Sequence, residues 1–188
     1  MLNLAAVPWT WLRQVHRARV VLVEEPGSCR GVEADAAVTR CPGAALAVLT
    51  ADCAPVVLAS REGVLGVAHA GWRGLLAGVV EATVAAMRAL GAGDVSAALG
   101  PCVRPHAYPF SAPDLEMLED RFGPGVAARD EGGHAALDLP AAVRAALDEA
   151  GAALVADSGV CTHCSAEHWS WRARADRGRQ ATVAWRPA

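Results

Sequence analysis

Apolar positions fall in short runs along most of the chain. Residues 20–24, 34–39, 45–49, 54–59 and 64–68 are rich in alanine, valine and leucine, and turn-forming or polar residues bound each run. Such runs predict short buried strands. Residues 9–16 alternate loosely before a polar cluster and predict one more. Pro26 and Gly27 stop the run at 20–24, and Pro42-Gly43 divides 34–39 from 45–49. Arg61-Glu62-Gly63 predicts a hairpin between 54–59 and 64–68. The period then changes. Leu76, Val79, Val80, Thr83, Val84 and Met87 recur at helical spacing and Gly91 supplies a stop, so one helix is expected over 75–90.

Residues 95–99 return to a strand pattern, 101–113 are a proline-rich loop, and 113–122 read as a helix. Asp138 before Pro140 predicts an N-cap, with the helix running to 150 and stopping at Gly151. Residues 154–160, 169–174 and 181–185 close the chain as strands. Strands and helices mix without regular alternation, and no Gly-x-Gly-x-x-Gly follows a strand. This argues for an α+β class with mixed β-sheets rather than a doubly wound nucleotide-binding fold. With no repeat and no linker, residues 1–188 read as a single domain.

Composition narrows the chemistry. The chain is 53% apolar and 20% charged, although 42 of its residues are alanine, so it is a folding sequence rather than a disordered one. Its net charge is −3 with no basic stripe, which excludes nucleic acid as an expected partner. All 17 basic residues are arginine. That removes a Schiff-base lysine and a P-loop lysine, and leaves the guanidinium as the strong handle for phosphate or carboxylate. No uncharged apolar stretch is long enough to span a membrane, and the N-terminus lacks the order of a signal peptide. The expected location is cytoplasmic, and the six cysteines are expected to be free, buried or metal-bound.

Three residues mark exits from apolar strands into polar turns: His16, Cys53 and His69. Two imidazoles and a thiolate make a three-ligand zinc set with an open fourth position, the pattern of a catalytic metal. Spacing alone leaves this open. No short ligand motif links the three, a cysteine after a strand is often a small buried hydrophobe, and Cys53 with His69 also reads as the nucleophile–base pair of a cysteine hydrolase. Cys161-Thr162-His163-Cys164, with His168 beyond it, is a single CxxC without a second pair, and reads as a structural or incidental cluster. Arg172 and Arg179 lie near Trp169 and Trp171, either as an anion clamp or as gatekeepers of an edge strand.

Thr50-Ala51-Asp52-Cys53 and Val67-Ala68-His69-Ala70-Gly71-Trp72-Arg73-Gly74 closely resemble the laccase-domain family of polyphenol-oxidase-like, YfiH-like bacterial proteins. Members are described as purine nucleoside phosphorylases with adenosine deaminase activity. Gln14-Val15-His16, Glu33-Ala34-Asp35-Ala36, Gly100-Pro101, Tyr108, Cys161-Thr162, Ser170 to Arg172 and Gly178-Arg179 match in family order. The resemblance implies mixed β-sheets in a sandwich-like arrangement flanked by helices. It implies that His16, Cys53 and His69 bind a metal, usually zinc, with copper as the alternative. It also implies a purine nucleoside and phosphate as substrates, giving base and ribose 1-phosphate, with adenosine deamination and methylthioadenosine phosphorolysis beside it.

Phosphorolysis needs an anion site. Arg73 follows His69 and precedes the expected helix, whose N-terminus favours phosphate. Arg172 and Arg179 are further candidates, and Asp52 is placed to orient a water or act as a base. A true laccase needs a further copper cluster, but His106, His134, His163 and His168 lack His-x-His pairing, so copper-dependent polyphenol oxidation is only an alternative. The signature of cytidine-type deaminases is also missing, so any deamination uses another geometry. Arg17 stands where the family favours glycine, and fewer residues precede Gln14 than in family members. The expectation is a member short at its N-terminus, and the last alternative is a non-catalytic zinc-binding module.

Overall fold

The computed structural model describes residues 7–188. The apolar runs pair into two main sheets. Strands β3 (Ala36–Thr39), β5 (Ala54–Ser60), β6 (Leu65–Ala70) and β7 (Val95–Leu99) form the centre of the larger one, flanked by β2 (Val20–Leu22) and β10 (Ala152–Asp157). Its order is β10-β7-β5-β6-β3-β2, parallel at both edges and antiparallel between. β1 (Trp9–Trp11), β4 (Ala45–Thr50) and β11 (Gln180–Trp185) make a smaller sheet in the order β1-β4-β11. The hairpin expected at Arg61 to Gly63 joins β5 and β6. Gly63 has φ +78°, a conformation that glycine adopts without penalty.

The sheets pack on each other, as expected for a sandwich-like α+β fold. Alternation along each strand divides the core. Val67 and Ala37 of the large sheet meet Leu46, Val48 and Ala184 of the small one in an inter-sheet core. Val56, Leu58 and Ala68 point the other way, into a larger core beneath α2 (Val79–Ala89) and α4 (Leu139–Ala150). Close fit matters there: a β-carbon on Gly66 of β6 would lie 2.9 Å from Met87 Sδ of α2. Asp138 caps α4 by accepting from Ala141 N–H at 2.9 Å, and Gly151 closes it at φ +66°. A third helix, α3 (Ala112–Phe122), is capped by Ser111. No helix among the described residues is long and apolar enough to cross a membrane.

Several expectations need correction. The helix over 75–90 is two: α1 (Trp72–Leu76) and α2 are separated at Gly78, whose φ of +85° interrupts the helical path. Residues 169–174 are not a strand. Ser170 accepts from Ala173 N–H at 3.0 Å and caps a short helix, α5 (Trp171–Arg174), so the aromatic pattern gives way to capping. The strand expected over 9–16 ends at Trp11, and the one expected over 154–160 runs from Ala152 to Asp157. A small hairpin, β8 (Ala127–Arg129) with β9 (Ala135–Leu137), is an addition.

Candidate functional site

The site lies at the seam between the two sheets. β4 belongs to the small sheet and β5 to the large one, so the turn at Ala51-Asp52-Cys53 carries the chain across. Asp52 makes the turn with φ +88°, in a region where residues with a β-carbon are strained. Two bonds hold it there: Thr162 Oγ1 donates to one carboxylate oxygen and Arg172 N–H to the other, both at 2.8 Å. The turn leaves the half-buried Cys53 sulfur at the cleft, while His69, on the face of β6 opposite the helices, comes up beside it.

His16 arrives on the loop between β1 and β2. Gln14 ties that loop to the end of β4, donating from Nε2 to Leu49 C=O at 2.7 Å and accepting from Leu49 N–H at 2.8 Å. Asp35 ties it to the large sheet. This fully buried carboxylate accepts from the N–H groups of Val15, His16 and Arg17, the last two at 2.8 Å. Under that restraint His16 adopts φ +59°.

Asp35 also accepts from His69 Nδ1 at 2.8 Å. The bond fixes the His69 tautomer and leaves Nε2 as its free donor atom. Donor atoms of His16, Cys53 and His69 lie within 4.8 Å of one another. His16 Nε2 is 3.7 Å from Cys53 Sγ. Tetrahedral zinc with ordinary Zn–N and Zn–S bonds sets that separation at about 3.6 Å. The donor set therefore fits a zinc-type cation, with a carboxylate behind one imidazole as such centres usually have. Gly71 is part of the fit: a β-carbon there would sit 2.8 Å from His16 Cδ2 and 3.1 Å from Cys53 Sγ.

Electrostatics favour a Cys53 thiolate beside a protonated His69, so a metal would bind by displacing the His69 proton. Burial pushes the Cys53 thiol up, but hydrogen bonds from His16 and His69 outweigh it and bring the pKa down to about 6. Burial pushes His69 down, but its bonds to Asp35 and Cys53 outweigh that and raise it to about 9. For Asp35, burial is overcome by the His69 bond and the backbone donors, so its carboxyl lies below the usual range.

A cleft of about 610 Å³ opens over this centre. The candidates for metal binding, phosphate binding and proton transfer all line it, namely His16, Asp52, Cys53, His69, Arg73, Arg172 and Arg179, whereas Cys161, His163, Cys164 and His168 do not. The guanidinium of Arg73 lies 4.0 Å from the centroid of Trp72, and that of Arg172 lies 4.2 Å from the centroid of Tyr108. Arg179 donates to the backbone carbonyls of Asp176 and Gly178. Among the described residues none of these guanidiniums is ion-paired to a carboxylate. The helix-terminus argument for Arg73 does not survive, because α1 has only five residues. Arg73 contributes its own charge instead.

Residues 1–187 match the multi-copper polyphenol oxidoreductase laccase family. The chain belongs to that family. It is 44% identical over 179 residues to a purine nucleoside phosphorylase of Streptomyces coelicolor, covering 93% of this chain and 74% of the relative. A purine nucleoside phosphorylase of Xylella fastidiosa is 43% identical over 195 residues, covering 98% and 74%. Among solved structures, Neisseria meningitidis NMB0706 superposes with a TM-score of 0.86 at 28% identity, covering 98% of this chain and 77% of that one. Geobacillus stearothermophilus YlmD gives 0.84 at 28% identity, covering 97% and 74%. The mixed-sheet fold read from the sequence is thus the fold of this laccase family.

Sequence reasoning gave no role to Asp35, Thr162 or Gln14. Asp35 left a signal: it is a carboxylate within an alanine and valine run, where an acid persists only with partners. Thr162 left none, since its partner Asp52 is 110 residues away.

Proposed function

We propose that this family member is a metal-dependent purine nucleoside phosphorylase, converting a purine nucleoside and phosphate to base and ribose 1-phosphate. The observation that carries the proposal is the cleft in which a His₂Cys centre meets Arg73, Arg172 and Arg179, none of them neutralised by a carboxylate. The names of the relatives support the same reaction. His16, Cys53 and His69 would hold the metal, which when bound supplies Lewis acidity at the open coordination position. The arginines bind and orient phosphate against the sugar. Trp72 and Tyr108, on which two of them stack, keep those guanidiniums extended into the cleft. Asp52 holds the Arg172 segment and has lone pairs left to orient a water or take a proton.

Zinc is the proposed metal, on the donor set. The open position suits hydrolytic deamination of adenosine as a second activity of the same centre, and methylthioadenosine is proposed as a further phosphorolysis substrate. Six free cysteines favour the reducing cytoplasm as its location.

The test is zinc-loaded protein incubated with inosine, guanosine, adenosine or methylthioadenosine, with and without phosphate. Phosphate-dependent release of base and ribose 1-phosphate is expected, with ammonia from adenosine scored in the same run. Arg73→Ala should raise the KM for phosphate about 10-fold or more, as loss of a charge-assisted contact does. Hydrolysis that survives chelation and dies on thiol alkylation would transfer the site to a cysteine hydrolase. Phenol oxidation by the copper-loaded protein, with no nucleoside consumed, would make it a polyphenol oxidase. A folded, zinc-loaded protein that turns over neither is a binding module.

A further inference from the structure

Outside the cleft, a second set of soft donors comes together. His106, Cys161 and Cys164 bring one donor atom each to within 4.8 Å of one another. None of these residues belongs to the set at the sheet seam. His106 sits in a 3₁₀ turn, Pro105–Ala107, that follows β7. Cys161 and Cys164 end the segment after β10. Their loop closes on itself through Ser165 N–H to Cys161 C=O at 3.0 Å, which presents both sulfurs on one side. A backbone bridge between Cys102 and Cys161 pins the loop to the stretch after β7, with Thr162 N–H donating to Cys102 C=O at 3.1 Å.

We propose that His106, Cys161 and Cys164 form a second metal site, for a thiophilic divalent cation of the zinc class, which clamps the Cys161–Cys164 loop to the turn at Pro105–Ala107. His106 Nε2 is 3.3 Å from Cys164 Sγ, against the about 3.6 Å that tetrahedral zinc sets for a nitrogen–sulfur pair. Two thiolates and an imidazole are the donors that select zinc over magnesium or calcium. A thiol–imidazole hydrogen bond would account for the pair alone. A thiol–thiol hydrogen bond links the third donor, Cys161, to Cys164, so a cation would replace protons within a cluster that is already gathered. Cys164 is exposed, so the fourth coordination position faces water and the thiol protons leave to solvent on binding.

The clamp bears on the cleft. Thr162, between the two cysteines, gives its hydroxyl to Asp52, and Tyr108, two residues beyond His106, carries the Arg172 guanidinium on its ring. The second cation is therefore a positioning element for the cleft wall, and His106, Cys161 and Cys164 touch no reacting atom.

The test is titration of the reduced, metal-free chain with cobalt(II), read by thiolate-to-cobalt absorption and by bound metal after gel filtration. Wild type is expected to take two equivalents and Cys53→Ser one. Cys53→Ser/Cys164→Ser should take none and lose the thiolate band. His106→Asn in the Cys53→Ser background should weaken the remaining site, and zinc should raise the melting temperature of Cys53→Ser but not of the double variant. Circular dichroism checks that each variant is folded, and the exposure of Cys164 makes it the safer cysteine to change. A folded Cys53→Ser chain that binds no metal overturns the proposal, as does a thiolate band that survives the double change. A Cys161–Cys164 disulfide that persists in reducing buffer overturns it too. One equivalent in wild type that survives Cys53→Ser upholds this site and removes the one at the sheet seam instead.

Discussion

At the scale of single residues, Asp35 does more than any proposed ligand to define the site. One carboxylate fixes the backbone of Val15, His16 and Arg17 and the ring of His69. Asp35→Asn keeps the shape but replaces one acceptor oxygen by an N–H₂ facing donors. Metal affinity should fall about 10–100-fold, the usual cost of losing the carboxylate behind a ligating histidine. Competition with a chromogenic chelator measures it, and an unchanged affinity would detach Asp35 from the centre. Cys53 makes a second prediction. Its thiol is lowered to about 6, so the thiolate fraction grows as pH rises through that value and is nearly complete at neutrality. Alkylation of the metal-free chain by iodoacetamide should follow that rise and level off by about pH 7, where an ordinary thiol is still mostly protonated. Bound zinc should suppress it at every pH. His16, Cys53 and His69 were legible in the sequence because each interrupts an apolar run where the chain turns. Their convergence was legible only through resemblance, since the contacts that gather them span 16 to 53 residues of chain.

At the scale of elements, pattern and capping tell most of the story. The α4 boundaries follow from Asp138 and Gly151, and the β5–β6 hairpin from its turn residues. Failures have local causes. Gly78 lies inside an unbroken apolar period, so nothing in the spacing announces that the backbone turns left-handed there. β8 and β9 are nearly all alanine and arginine, without the β-branched residues that mark a strand. Ser170 is a cap hidden among tryptophans. Packing of α2 on β6 gives an element-scale prediction. Gly66→Val would drive a side chain into Met87 and Thr83, costing about 1–3 kcal/mol by overpacking. The melting temperature should drop while metal content is retained, because His69 faces away from α2. A variant as stable as wild type would mean that Met87 yields.

At the scale of the whole molecule, the site is where two sheets diverge, and no element owns it. β4, β5, β6, the loop before β2 and the segment after β10 each deliver one part. The fold class was readable from the mixture of strands and helices, but this convergence follows from sheet order, which short alanine-rich strands do not encode locally. Metal removal should therefore leave the architecture intact. Free zinc at 100 times the dissociation constant stabilises by about 2.7 kcal/mol per site. At about 2–4 °C per kcal/mol for a chain this long, chelation should lower the melting temperature by about 5–10 °C for each site emptied, while the far-ultraviolet dichroism stays unchanged. Loss of that signal on chelation would make the metal a folding cofactor instead.

The Asp35 network has a consequence in time. Its four donors converge only after the loop before β2 has docked on β3 and β6, so the socket for the ion is finished by folding alone. The proposed metal would then enter a completed molecule and leave it again without undoing it. Under the proposed zinc dependence, a cell short of zinc would hold this protein as an idle, intact stock, and resupply would switch it on at the speed of diffusion and ligand exchange, with no new synthesis and no refolding.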